Sequence, residues 1–72
     1  MAHVLIADDE DGVRAGLVAM CMAGGHRTAE AASGRETLAR AEALEPDLVL
    51  LDLRMPDGDG LSILPALAAL PA

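Results

Sequence analysis

Three short segments with strand character alternate with segments of helical periodicity, and this alternation is the feature that most limits the possible folds. Residues 3–8 and 48–51 are short apolar runs that are typical of β-strands. Residues 26–32 predict a weaker strand, because the sequence Ala-Glu-Ala-Ala at 29–32 has poor β-propensity. Helical segments follow them over residues 12–23, between Ser33 and Pro46, and from Leu61 onward. Strands that alternate with helices form parallel sheets with helices on the faces. The order β-α-β-α-β-α therefore predicts an α/β fold with three parallel strands and three helices.

Local signals support the predicted boundaries. Ser33 with Glu36 three residues later forms a capping-box pattern, and Gly24-Gly25 is a helix stop. Four consecutive apolar residues at 48–51 are typical of a parallel strand that is covered on both faces. Pro65 predicts a kink or a late start in the third helix.

The first helix is predicted to bury one apolar face. Val13, Leu17, Met20 and Cys21 recur at helical spacing, and Arg14 lies off this face. The Cys21 thiol is therefore expected to be buried and inert. The five arginines are scattered along the sequence, and we interpret them as solvated surface residues.

Right-handed crossovers predict how the three strands are arranged. A chain that passes from β1 to β2 and then back past β1 to β3 gives the sheet order 2-1-3. The first helix then lies on one face, and the second and third helices lie on the other. Ligands bind such sheets beyond the carboxyl ends of the strands where the order reverses, here β1 and β3.

Size and charge exclude several classes of protein. The chain has 72 residues, which allows at most one small domain. Five arginines and no lysine stand against twelve acidic residues, and a net charge of −7 argues against binding nucleic acid or an anionic membrane. A single cysteine excludes an internal disulfide, and no apolar run approaches the length of a membrane span. The expected location is the cytoplasm.

Three acidic residues are predicted to converge beyond the carboxyl ends of the strands. Asp8 and Asp9 end the first strand, and Asp52 ends the third. Their like charges repel, and a hard divalent ion such as Mg²⁺ relieves the repulsion. A carboxylate beside Mg²⁺ can act as a nucleophile toward a phosphoryl group. The alternative is that these acids follow strands only because loops are solvated, and that residues 8–11 favour a helix N-terminus.

At these positions the chain resembles the receiver domain of bacterial two-component response regulators. The resemblance covers essentially the whole chain in family order and spacing. The matching segments are Val-Leu-Ile-Ala-Asp-Asp-Glu at 4–10, Gly-Gly-His at 24–26, Ala-Ser-Gly-Arg-Glu-Thr-Leu at 32–38 and Pro-Asp-Leu-Val-Leu-Leu-Asp-Leu-Arg-Met-Pro-Asp-Gly-Asp-Gly-Leu at 46–61. The resemblance implies a three-layer, flavodoxin-like fold.

The resemblance also implies a role for each site residue. The acid after the third strand accepts the phosphoryl group in this family, which corresponds to Asp52. The resemblance implies that Mg²⁺ is bound by Asp9 directly, by Asp52 and by the backbone carbonyl of Arg54, with Asp8 supporting the metal. A loop is expected after Asp52, and the resemblance implies that Met55 and Pro56 shape it. The implied phosphoryl donor is a phosphohistidine on a sensor histidine kinase or a histidine phosphotransfer protein.

The chain also departs from the family pattern. A receiver has five βα units, and we expect residues 1–72 to correspond to the first three, with no output domain. The family's Ser or Thr after strand four and Lys after strand five have no counterpart here.

From the residues that do match, we expect a non-enzymatic receiver module that uses Mg²⁺ and accepts a phosphoryl group on Asp52. The alternative is a truncated, non-switching fragment that acts only as an interaction module or is inert.

The third strand also predicts a partner. Without a fourth strand, residues 48–51 would present an apolar edge with no Lys, Pro or bulge to prevent pairing. We therefore expect the chain to self-associate through this edge, to aggregate, or to be largely unfolded as a monomer.

Overall fold

The structure, a computed structural model, describes residues 2–52 together with the backbone of residues 54–55 and 58–59. The predicted alternation of strands and helices is confirmed through the third strand. The elements in chain order are β1 His3–Ala7, α1 Asp11–Ala23, β2 Arg27–Ala31, α2 Gly34–Leu44, β3 Leu48–Leu51, β4 Arg54–Met55 and β5 Gly58–Asp59.

Two features differ from the sequence-based expectation. The described residues contain two helices rather than three, and the predicted third helix with Pro65 lies outside them. The segment after Asp52 was expected to be a loop, but β4 and β5 pair there as an antiparallel ladder. Strands of two residues are too short to produce a detectable periodicity, which is why the sequence does not reveal them.

The sheet has the predicted strand order β2-β1-β3, and both of its ladders are parallel. β1 lies in the middle, so its backbone pairs on both sides. Ile6 is level with Glu30 of β2 and with Leu50 of β3. Side chains at one level of a parallel sheet point to the same face. These three residues therefore share one face, and their neighbours along each strand share the other.

The two helices cover opposite faces of the sheet, as predicted. α2 packs Ala41 against one face of the sheet. Leu5, Ala7 and Ala31 are buried on that face and form a core cluster with Ala41. α1 covers the other face, where Ile6 is fully buried and where Arg14 of the helix contacts Glu30 of β2. Among the described residues, neither helix has both the length and the apolar character that crossing a membrane requires.

The face that α1 turns toward the sheet differs from the prediction. Val13 and Met20 were expected to be buried, but they are 45% and 71% exposed. Leu17 and Cys21, which were also predicted on this face, are half-buried, and the other half-buried positions of α1 are Arg14 and Val18. This places Arg14 on the sheet-facing stripe, so its predicted solvated position is wrong. The sheet tolerates the charge because Glu30 on the same face accepts a hydrogen bond from it.

β3 forms as predicted, although its side chains are less covered than a strand packed on both faces would be. Leu48 is 51% exposed, and the other three residues of the strand are half-buried. Within the described part of the chain, β3 is an edge of the three-stranded sheet.

The predicted capping box begins α2. Ser33 Oγ accepts a hydrogen bond from the Glu36 amide at 3.1 Å, and the Glu36 carboxylate accepts one from the Ala32 amide at 3.0 Å. The reciprocal bond therefore reaches one residue further back than in the standard box, where it returns to the cap itself. The helix ends at Leu44, and its C-cap Glu45, which precedes Pro46, has a left-handed φ of 48°.

We expect Ser33→Ala to lower the free energy of unfolding by about 1 kcal/mol, because the Glu36 amide loses its side-chain acceptor. Ser33→Asp is the matched control, since aspartate also accepts hydrogen bonds at an N-cap, and it should stay close to wild type. Urea denaturation followed by circular dichroism measures the difference. Equal destabilisation by both variants would contradict a capping role.

Candidate functional site

Two parallel ladders place Asp8 and Asp52 beside each other. The Asp8 amide donates to the carbonyl of Ala31 at 3.0 Å, and the Asp52 amide donates to the carbonyl of Ala7 at 2.8 Å. Both aspartates directly follow strands whose last residues, Ala7 and Leu51, are level with each other in the sheet. The backbone therefore brings together two residues that are 44 positions apart in sequence.

Asp9 completes a cluster of three carboxylates. One oxygen from each of Asp8, Asp9 and Asp52 lies within 4.8 Å of the other two. Asp8 and Asp52 are half-buried, whereas Asp9 is exposed. Asp8 also accepts a hydrogen bond from the Glu10 amide at 2.9 Å, which fixes its side chain in the turn before α1. The three acids predicted to converge are thus brought together by the structure.

The chemistry of this donor set fits Mg²⁺. All three groups are hard carboxylate oxygens, which are the ligands that Mg²⁺ and Ca²⁺ take in proteins. Mg²⁺ usually binds through one or two carboxylates and retains several waters, so a partly exposed cluster suits it better than an enclosed cage. Asp8, Asp9 and Asp52 are the residues that would hold the ion.

The remaining predicted site residues lie after Asp52. Arg54 begins β4, two residues beyond Asp52, and Met55 is level with Gly58 of β5. The backbone in this segment is therefore held in a short antiparallel ladder. Pro56 lies outside the described residues. The metal-binding role of the Arg54 carbonyl and the loop-shaping roles of Met55 and Pro56 stay predictions.

A pocket of about 330 Å³ opens beside two of the acids. Its lining combines the Asp8 and Asp52 side of the cluster with apolar side chains from the sheet and from α1. The lining residues are Ala7, Asp8, Leu17, Leu50, Leu51 and Asp52. The cluster is therefore bordered by apolar surface on one side.

Arg14 lies next to this cluster, although its sequence position did not mark it as a site residue. Its guanidinium donates to the backbone carbonyl of Asp8 at 2.7 Å and to the carboxylates of Asp11 at 2.6 Å and Glu30 at 3.0 Å. The hydrogen bond to Asp11, followed by that to Glu30, raises the pKa of Arg14 above its usual value. The spacing of three residues between Asp11 and Arg14 predicts one of these contacts. Nothing in the sequence signals the other two.

A parallel 2-1-3 sheet with helices on both faces and three acids beyond the ends of β1 and β3 defines a receiver-type, flavodoxin-like α/β module. Comparison with known proteins agrees with this class. The family model for the response regulator receiver domain matches residues 4–72. The chain belongs to the response regulator receiver family, whose members are signalling modules of two-component systems.

Individual relatives support this assignment. The chain is 39% identical over 64 residues to the KDP operon transcriptional regulatory protein KdpE of Escherichia coli, a match that covers 89% of this chain and 28% of the relative. It is 43% identical over 63 residues to the response regulator GacA of Pseudomonas viridiflava, covering 85% of this chain and 29% of the relative. The chain therefore spans less than a third of these relatives.

Solved structures share the fold. The N-terminal domain of a response regulator receiver protein from Methanoculleus marisnigri superposes with a TM-score of 0.92 at 37% identity, covering 99% of this chain and 58% of the other. The receiver domain of the hybrid histidine kinase CckA gives a TM-score of 0.85 at 35% identity, covering 92% and 63%. The fold expected from the resemblance is therefore confirmed for the described elements.

Proposed function

We propose that the chain is a phosphoacceptor module of a two-component phosphorelay, in which Asp52 receives the phosphoryl group in the presence of Mg²⁺. The observation that carries the proposal is the carboxylate cluster, with oxygens of Asp8, Asp9 and Asp52 within 4.8 Å of one another. Acids this close, at the strand ends where ligands of such sheets bind, are suited to hold a cation and present one carboxylate as a nucleophile.

The proposed transfer uses Asp52 as the nucleophile. A carboxylate oxygen forms the new O–P bond as the N–P bond of a donor phosphohistidine breaks, and the bonding electrons leave with the imidazole nitrogen. Bound Mg²⁺ supplies charge neutralisation for the transferring oxygens. Asp8 and Asp9 would contribute the negative charge that holds the cation. The hydrogen bond from the Asp52 amide to the Ala7 carbonyl keeps this phosphoacceptor residue at the end of the sheet.

The proposed partner is a sensor histidine kinase or a histidine phosphotransfer protein, and the proposed setting is the cytoplasm. The alternative of an inert or purely interacting fragment gains no support from the comparisons. Self-association through β3 gains none either. KdpE and the activator DevR/DosR of Mycobacterium tuberculosis are described as transcriptional regulators, and the latter as DNA-binding. Because the chain covers only 28% and 30% of these relatives, an output of that kind for the protein containing this chain is a further proposal.

The proposal is tested by incubating the chain with Mg²⁺ and a small acyl phosphate, followed by intact-mass measurement. We expect a mass gain of one phosphoryl group that disappears when Mg²⁺ is removed with a chelator. Labelling of this 72-residue chain should be slow, because it contains no lysine to contact the transferring oxygens. The absence of any adduct after prolonged incubation, with Mg²⁺ binding intact, would contradict the phosphoacceptor role and favour an interaction module.

A further inference from the structure

Arg14 lies at the junction of three elements beside the carboxylate cluster. It belongs to α1, yet it contacts the carbonyl that directly follows β1 and a side chain of β2. Its side chain is only 15% exposed. A guanidinium has five N–H donors in a rigid planar fork, and here they point in three directions at once.

The bond to Asp8 is the one that reaches the cluster. Arg14 Nη1 donates to the Asp8 backbone carbonyl at 2.7 Å, while the Asp8 side chain accepts the Glu10 amide at 2.9 Å. The same residue is therefore held through its main chain by Arg14 and through its carboxylate by the turn. Asp9 is the next residue along, so its position depends on the same backbone.

Glu30 and Asp11 orient the guanidinium. They contact its Nε and Nη2 atoms at 3.0 and 2.6 Å, which leaves Nη1 directed at the Asp8 carbonyl. The two carboxylates also balance the positive charge. Arg14 can therefore lie beside a cation site without strong repulsion, since its own charge is compensated locally.

We propose that Arg14, held by Glu30, is a positioning residue that sets the Asp8–Asp9 turn for Mg²⁺ binding. This inference rests on the proposed function, because it concerns the same site. Groups that fix metal ligands from outside the coordination shell typically change metal affinity by about 10- to 100-fold. Arg14 acts on the backbone rather than on a carboxylate, so we expect about a tenfold effect, at the low end of that range.

The test is the double variant Arg14→Gln/Glu30→Gln, which removes one positive and one negative charge and so keeps the net charge. We expect its Mg²⁺ dissociation constant, measured by calorimetry well below the melting temperature, to rise about tenfold. The matched control is Arg40→Gln/Glu36→Gln, which removes an exposed pair of the same residue types on α2, 3.8 Å apart. That control should bind Mg²⁺ like wild type.

A second readout separates positioning from general stability. Amide hydrogen exchange at Glu10, whose N–H donates to Asp8, should accelerate in the Arg14 double variant, while exchange at buried Thr37 of α2 should not. If the double variant does not fold, Arg14→Lys replaces it, because lysine keeps the charge without the planar fork, and the same rise in dissociation constant is expected.

The outcomes distinguish the two proposals. A wild-type chain that binds Mg²⁺, with unchanged affinity in the folded Arg14 variant, overturns the positioning role and leaves the proposed function standing. A wild-type chain that binds no Mg²⁺ overturns the proposed function and this inference with it. Weaker binding in both the Arg14 and the Arg40 double variants would assign the effect to lost stability and would also overturn the positioning role.

Discussion

Asp52→Asn is expected to abolish phosphoryl labelling by a small acyl phosphate in the presence of Mg²⁺. The amide that replaces the carboxylate is neutral and is a poor nucleophile toward phosphorus. The hydrogen bond from the residue 52 amide to the Ala7 carbonyl does not involve the side chain, so the end of β3 should keep its place in the sheet. Intact-mass measurement of the labelled fraction over time reports the loss.

Asp47→Asn is the matched control for this experiment. Asp47 precedes β3 as Asp52 follows it, and its carboxylate accepts a hydrogen bond from the His3 amide at the opposite end of the sheet. The same chemical change there should leave labelling at the wild-type rate. Labelling that persists in Asp52→Asn would move the acceptor to another residue and contradict the assignment.

The second large effect concerns the metal. We expect Asp9→Asn to weaken Mg²⁺ binding by at least about tenfold, because outer-shell changes already reach that size and Asp9 is proposed to bind the ion directly. Asp9 is exposed, so its replacement should have little effect on the free energy of unfolding. Calorimetry is the suitable measurement, since a chain without aromatic residues has no intrinsic fluorescence to follow.

The control for Asp9→Asn is again Asp47→Asn, which lowers the net negative charge by the same amount away from the cluster. It should change the Mg²⁺ dissociation constant little. If both variants weakened binding equally, Asp9 would contribute only to the general field of an acidic chain. The assigned role of Asp9 as a direct ligand would then be wrong.

The central sheet could be predicted from sequence because its strands carry independent signals. The apolar runs that became β1 and β3 each end at an acid, and right-handed crossovers leave few ways to connect three parallel strands. That topology predicted that Asp8 and Asp52 would converge, and their backbone amides do extend adjacent ladders. The capping pair Ser33 and Glu36 could also be predicted from the sequence, since both partners lie within one turn of helix.

Long-range side-chain contacts could not be predicted in the same way. Helical periodicity placed Val13 and Met20 toward the sheet, whereas the structure turns Arg14 toward it. The cause is Glu30, 16 residues away on β2, which offers the guanidinium a carboxylate on that face. A periodic pattern describes only the helix itself and contains no information on what the opposite surface supplies.

Mapping the phosphorylated residue tests the central claim most directly. The chain is incubated with a small acyl phosphate, with Mg²⁺ or with a chelator, then digested and sequenced by tandem mass spectrometry. We expect the phosphoryl group on Asp52 alone, and only in the sample that contains Mg²⁺. A phosphoryl group on any other residue, or equal labelling of Asp52 without Mg²⁺, would contradict a metal-dependent phosphoacceptor site built from Asp8, Asp9 and Asp52.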